Sequence, residues 1–399
     1  MTSIVNKPML LITVILMNLL TGMEFDLFIP SFPALQAEFQ LSSFLIETLL
    51  SINFMGFCLS LFFVGSLADH YGRKSIIIIG IITFILGSLF CLYGATYLFL
   101  IIGRFLQGIG IAAPAILSFL IIADTYPLKK QQFFMAMLNG LMNAAVGIAP
   151  VIGSYLTLYF HWQGNFIALL LLSIITLLMT LLFIPAYKKP PIKEALSWRG
   201  YISLFQSKPL LLLMTFIIMN FVPYWVFVGM SPLLYLKDLN VSLANFGYYQ
   251  GALAFTFGIG SIAFGFILNK FNQKIMLYIS CFIFILGLIS ITAVTIQNSS
   301  NPLYITLAFL PFIIAQIIPS AILQPLCVNL IPQAKGRVSA ILQGGRLILC
   351  SISLQLAGFY YDGTFQNIGI ILASFIFMVI IFMFLVIRNK ELMKHVILL

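Results

Sequence analysis

The sequence predicts an all-α integral membrane protein, with twelve transmembrane helices in two six-helix halves. Three observations carry this prediction. Of the 399 residues, 62% are hydrophobic and 8% charged, with a mean hydropathy of +1.12, where a soluble domain carries about 25% charged residues. The apolar runs exceed the roughly 18 residues that mark a membrane span. The basic residues gather on alternate connections between those runs.

Taken in order, the runs lie at about 9–30, 44–68, 75–95, 98–123, 133–159, 164–185, 209–231, 245–268, 275–296, 302–328, 338–360 and 366–387. The first carries Glu24 and Asp26 and has no small-residue cleavage site after it, so it is expected to remain in the mature protein rather than act as a signal peptide. One side of the predicted membrane holds Lys7, Arg73, Lys74, Lys129, Lys130, Lys188, Lys189, Lys193, Arg199, Lys208, Lys270, Lys274, Lys335, Arg337, Arg388, Lys390 and Lys394; the other holds Lys237. That bias predicts cytoplasmic termini and an even span number. It also accounts for the net charge of +10 without nucleic acid. Cys58, Cys91, Cys281, Cys327 and Cys350 fall in or beside apolar runs with no CxxC pair, which excludes a disulfide framework and a metal site.

The longest polar stretch, 187–208, contains Lys-Lys-Pro-Pro-Ile-Lys-Glu. It is predicted to link an N-terminal half, 1–186, to a C-terminal half, 209–399. Gly65-Ser-Leu-Ala-Asp69-His-Tyr-Gly72-Arg-Lys74 after the second run echoes Gly265-Phe-Ile-Leu-Asn269-Lys-Phe-Asn272-Gln-Lys274 after the eighth. A match at equivalent connections is what a parallel duplication predicts.

The Gly65 to Lys74 connection resembles the G-x-L-a-D-r-x-G-r-k signature of the major facilitator superfamily, with His70 in place of the usual basic residue. Arg104-Phe-Leu-Gln107-Gly108-Ile-Gly110 resembles that family's fourth-span pattern. Gly147-Ile-Ala-Pro150-Val-Ile-Gly153-Ser154 resembles its antiporter motif, with Ala149 and Ser154 where glycine is usual. Asp26-Leu-Phe-Ile-Pro30 is similar to the D-M-Y-L-P of Bcr/CflA-like drug:proton antiporters. The resemblance implies a proton-coupled exporter of amphipathic compounds in a bacterial inner membrane, working as a monomer among lipids, with protons as the coupling ion and no cofactor. It also implies that Gly65, Asp69, Gly72, Arg73 and Lys74 form a conformational latch. In that reading Asp69 caps a helix N-terminus, Gly65 allows close helix approach, Gly72 makes the turn, and Arg73 and Lys74 meet anionic headgroups. Gly147, Pro150 and Gly153 would be a flex point in the fifth span.

Glu24 and Asp26 read as the only acids well inside a span. A carboxylate there costs about 2.5–3.5 kcal/mol, so such residues default to function. Glu24 and Arg104 lie at matching depths, which predicts either a proton-coupling centre of Glu24, Asp26 and Arg104 or an ion pair bracing two spans. Arg346, with Gln343 three residues before it, reads as an anion-binding guanidinium or as the partner of a carbonyl or acid. Glu24, Gln107, Asn143, Tyr224, Gln343 and Arg346 are the expected substrate-binding residues. A dedicated transporter of an anionic metabolite, such as a carboxylate siderophore, is the alternative. No catalytic residue is expected: His70, His161 and His395 are far apart, and no GxxxxGKS motif is present, so neither an enzyme nor an ATP-driven pump is indicated.

Overall fold

The computed structural model describes residues 6–186, 203–267, 270–331 and 334–397. It contains twelve helices long and apolar enough to cross a membrane: Lys7–Glu38, Ser43–Gly65, Arg73–Tyr93, Tyr97–Thr125, Gly140–Phe160, Gln163–Phe183, Lys208–Asp238, Leu243–Ile267, Gln273–Ile296, Pro302–Asn329, Arg337–Tyr360 and Phe365–Arg388. These are spans one to twelve. Each coincides with one of the apolar runs, because some 20 residues of α-helix are what a hydrocarbon layer about 30 Å thick requires.

The residues group into two compact units, Met1–Leu196 with Phe246–Gly251, and Ser197–Asn245 with Ala252–Leu399. Most of the predicted 187–208 linker lies outside the described residues. Within the first unit, span four packs on spans two and three, span three on span six, and span one on spans four, five and six. In the second unit span nine packs on spans ten and twelve, and span seven on spans ten, eleven and twelve. The second pattern is the first with every span number raised by six, save that the close pairing of spans two and four has no equally extensive counterpart. This shared packing is a stronger sign of duplication than the short sequence echo.

Span one departs from the expected single helix. Its first segment, Lys7–Glu24, stops at the acid, and a 3₁₀ turn at Ile29–Ser31 leads into a short helix, Phe32–Glu38. Pro30 has no N–H to offer the carbonyl of Asp26 four residues earlier, so the α-helical ladder loses a bond at this break. The irregular residues Phe25 to Pro30 are all buried, the condition under which broken backbone is tolerated at membrane depth. Gly153 makes room for the break, since a Cβ there would collide with the Leu27 carbonyl oxygen. Span five itself continues through Pro150 as one helix from Leu128 to Phe160. The expected flex point is therefore a packing surface in which Gly147 and Pro150 are buried and Gly153 seats span one.

Exposed Leu178, Leu182, Ile259, Ile262, Phe266 and Phe282 cover outer helix faces with apolar side chains suited to lipid. Of the five free cysteines, Cys58, Cys91, Cys327 and Cys350 are buried and Cys281 is half-buried.

Candidate functional site

Span four brings Arg104 into the middle of the first unit with no exposure to solvent. Its Nη1 donates to Glu24 Oε1 at 2.9 Å and to Gln107 Oε1 at 2.7 Å, and its Nε donates to the Leu49 carbonyl at 3.4 Å. The Phe28 ring covers the guanidinium, with its centroid 3.8 Å from Cζ. Asn53 Nδ2 donates to Glu24 Oε1 at 2.6 Å and to the Arg104 carbonyl at 3.0 Å. Asn53 reaches both because spans two and four nearly touch: a Cβ on Gly108 would meet the Asn53 carbonyl oxygen, and one on Gly56 the Phe105 carbonyl oxygen at 2.5 Å. The matching depths of Glu24 and Arg104 thus correspond to a direct ion pair. Gln107 has a different place from the substrate-facing one expected of it. It is fully buried and holds Arg104 at one end of its amide and Ser88 Oγ, at 2.9 Å, at the other.

Asp26 stands apart from this network. It is 1% exposed, and neither carboxyl oxygen has a hydrogen-bond partner among the described residues. The two acids do not share a helix, because the helix ends at Glu24. Glu24 ends the helix and is paired; Asp26 lies in the irregular segment and is not.

A third buried acid was missed. Glu47, in the first turns of span two, has no exposure and no hydrogen-bond partner for either oxygen among the described residues. It stands four residues into the 44–68 run, where the run's length alone does not reveal burial. The contrary signal was its register: Leu50 and Phe54, three and seven residues on, are fully buried and share its helix face.

The second unit is built differently. Arg346, in span eleven, donates from Nη2 to Gln324 Oε1 of span ten at 2.9 Å and lies over the Phe221 ring of span seven, 5.1 Å from its centroid. Its Nε is buried without a partner among the described residues. Gln343 does not repeat the bond that Gln107 makes: the glutamine holding Arg346 comes from another span. The acids described in this unit sit elsewhere. Asp238 accepts from Tyr361 Oη at 2.5 Å, Asp362 accepts from Thr364 N and Oγ1, and Glu391 lies on the last helix. Tyr224 stacks edge-on against Trp225, and the side chain of Asn143 lies outside the described residues.

At the predicted latch, Gly72 has φ +92° between spans two and three, a conformation that L side chains resist. Arg73 pairs with Asp124 at 2.6 Å, and Lys74 Nζ donates to the Leu181 carbonyl at the end of span six at 2.7 Å. Both basic groups therefore have protein partners, Asp124 and the end of span six. A Cβ on Gly65 would meet nothing within 4 Å, so no close approach requires that glycine. Asp69 is half-buried and makes no hydrogen bond or ion pair among the described residues.

A duplicated bundle with a charged network sealed inside one copy defines a helical multi-pass transport protein. The chain belongs to the Major Facilitator Superfamily, whose family description matches residues 14–354. It is 27% identical over 269 residues to multidrug resistance protein MdtL of Salmonella heidelberg (strain SL476), covering 64% of this chain and 65% of that one. Against MdtL of Escherichia coli O9:H4 (strain HS) it is 26% identical over 270 residues, covering 65% and 66%. The chain thus spans just under two thirds of the length of these relatives. Among solved structures it resembles the peptide transporter POT in complex with sulfate (TM-score 0.77, 12% identity, 97% of this chain and 95% of that one) and a D-xylose-proton symporter (0.74, 13%, 94% and 97%). Likeness at this identity concerns the fold alone.

Proposed function

We propose that the chain is a proton-coupled exporter of amphipathic compounds, working by alternating access in the inner membrane of a bacterium. In this reading both termini are cytoplasmic, the working unit is a monomer, and protons are the coupling ion with no other cofactor. The names of its relatives support export of many compounds, and the lopsided distribution of lysine and arginine supports the orientation.

The observation that carries the mechanism is the contrast between Glu24, paired with Arg104, and Asp26, buried with both oxygens unpartnered. An ionised carboxylate with no partner in an apolar interior costs several kcal/mol. A carboxyl that keeps its proton avoids that cost. Asp26 is then the exchanging group: it holds a proton when enclosed and releases it when a conformational change brings water. Glu24, Arg104, Asn53 and Gln107 form the fixed frame that positions the broken segment. Asp69 and Gly72 belong to the hinge-side connection that the change passes through.

The test is transport by purified protein in proteoliposomes with an imposed pH gradient. Wild type accumulates substrate uphill, and Asp26→Asn loses uphill accumulation while retaining downhill exchange. Uphill transport surviving in Asp26→Asn would pass the role to Glu24 or Glu47. A wild type indifferent to the gradient would overturn proton coupling altogether.

A further inference from the structure

We propose that Arg346 is an anion subsite of the second unit, and that the compounds this protein handles best carry a carboxylate or similar anionic group on an apolar body. The inference deepens the export reading and rests on it for the identity of the ligand as cargo.

The argument begins with charge. Arg346 is nine residues beyond Arg337 at the start of its span, about 14 Å along the helix axis. A guanidinium at such depth normally finds an acid or a set of carbonyls. Here it has one neutral partner, the Gln324 amide. Its neighbouring titratable groups are the buried thiols of Cys327 and Cys350, which bring no compensating charge in their neutral form. No carboxylate lies within salt-bridge distance of it among the described residues. Arg104 supplies the control within the same molecule, since its charge is answered by Glu24 at 2.9 Å.

Geometry then specifies the ligand. The Gln324 carbonyl fixes one edge of the planar fork, the Phe221 ring lies against it, and the buried Nε is left unpartnered. A planar fork with free N–H groups matches a two-oxygen anion, which it can bind through two parallel hydrogen bonds. The residue as a whole is half-buried while its Nε is enclosed, so a ligand has to gain that edge as the helices around it part. The Phe221 ring offers the apolar surface next to the charge that an amphipathic acid would fill.

The experiment compares three fluorescent probes on one scaffold, pyrenebutyrate, its methyl ester and pyrenebutylamine, binding to purified full-length protein in a neutral detergent. Wild type should bind the carboxylate about tenfold or more tighter than the ester, the scale of a charge-assisted hydrogen bond. Arg346→Gln should reduce that preference to near unity with ester binding unchanged, and Arg346→Lys should retain part of it. Gln324→Leu keeps the charge and frees its orientation, so it should weaken the preference less; this variant decides the matter if Arg346→Gln fails to fold. No preference in wild type, or a preference that survives Arg346→Gln, overturns the proposal. If added phosphatidylglycerol abolishes the preference without changing ester binding, a lipid phosphate is the occupant and the cargo assignment is overturned. Gradient-driven transport of pyrenebutyrate is measured separately. Its failure would count against the export reading and leave the subsite standing.

Discussion

Arg104 and Arg346 each lie inside a span, three residues from a glutamine, yet they are opposites in the folded chain. Arg104 has an acid, two amides and an aromatic lid around it and no exposure. Arg346 has one amide, one ring and no acid within salt-bridge distance among the described residues. The difference comes from span one: the first unit supplies Glu24 to Arg104, and the corresponding span seven of the second unit brings Arg346 the Phe221 ring instead. Equal local spacing therefore says little about whether a buried charge is settled. What decides it is a residue on another helix.

The largest effect that separates the two should come from deleting each charge. Arg104→Leu leaves the Glu24 carboxylate sealed without its ion, which should cost about 3–5 kcal/mol; Arg346→Leu removes a charge with no counter-ion and should change stability by less than about 1 kcal/mol. Thermal unfolding in detergent compares them, and a Glu24→Gln, Arg104→Gln double variant should recover most of the first loss. Equal destabilisation by both leucine variants would break the comparison.

A smaller effect is expected from the glycines that let the helices meet. A Cβ on Gly108 meets the rigid Asn53 carbonyl, so Gly108→Ala should cost about 1–3 kcal/mol. A Cβ on Gly260 in the other unit meets only the terminal methyl of Ile317, which can rotate away, so Gly260→Ala should be nearly neutral by the same measurement. The contrast between the units is smallest for the amides: Asn53→Ala removes two bonds to the ion-pair network and should cost about 1–3 kcal/mol, against about 1 kcal/mol for Gln324→Ala with its single bond. A double-mutant cycle of Asn53→Ala with Glu24→Gln should show coupling, whereas Gln324→Ala with Glu24→Gln should be additive.

How far the sequence could be read follows from the length scale of each feature. The twelve spans were legible because each is a run of some 20 apolar residues, and the Glu24–Arg104 pair because two rare charges share a depth. The break after Glu24 was not, although Pro30 marks it: composition places the residues of span one in the membrane without saying that the helix stops among them. Glu47 escaped because a position near the start of a helix looks like a rim, and only the burial of Leu50 and Phe54 on its own face of span two reveals otherwise. Arg73 and Lys74 were assigned to lipid because a basic loop is usually topogenic, while Asp124 and the end of span six, which actually receive them, lie some 50 and 107 residues away along the chain.

The placement of the thiols has a practical consequence for following this protein as it moves. Cys58, Cys91, Cys327 and Cys350 are enclosed, and Cys281 sits half-buried on an apolar face of span nine. A membrane-impermeant maleimide attacks a solvated thiolate, so the native chain should give almost no signal. New cysteines at Ser299, Thr364 or Ser197 can then be labelled one at a time against a dark background, without first removing the native five. The four enclosed thiols serve as built-in clocks as well: any of them that becomes reactive during turnover reports an opening of its own helix pair.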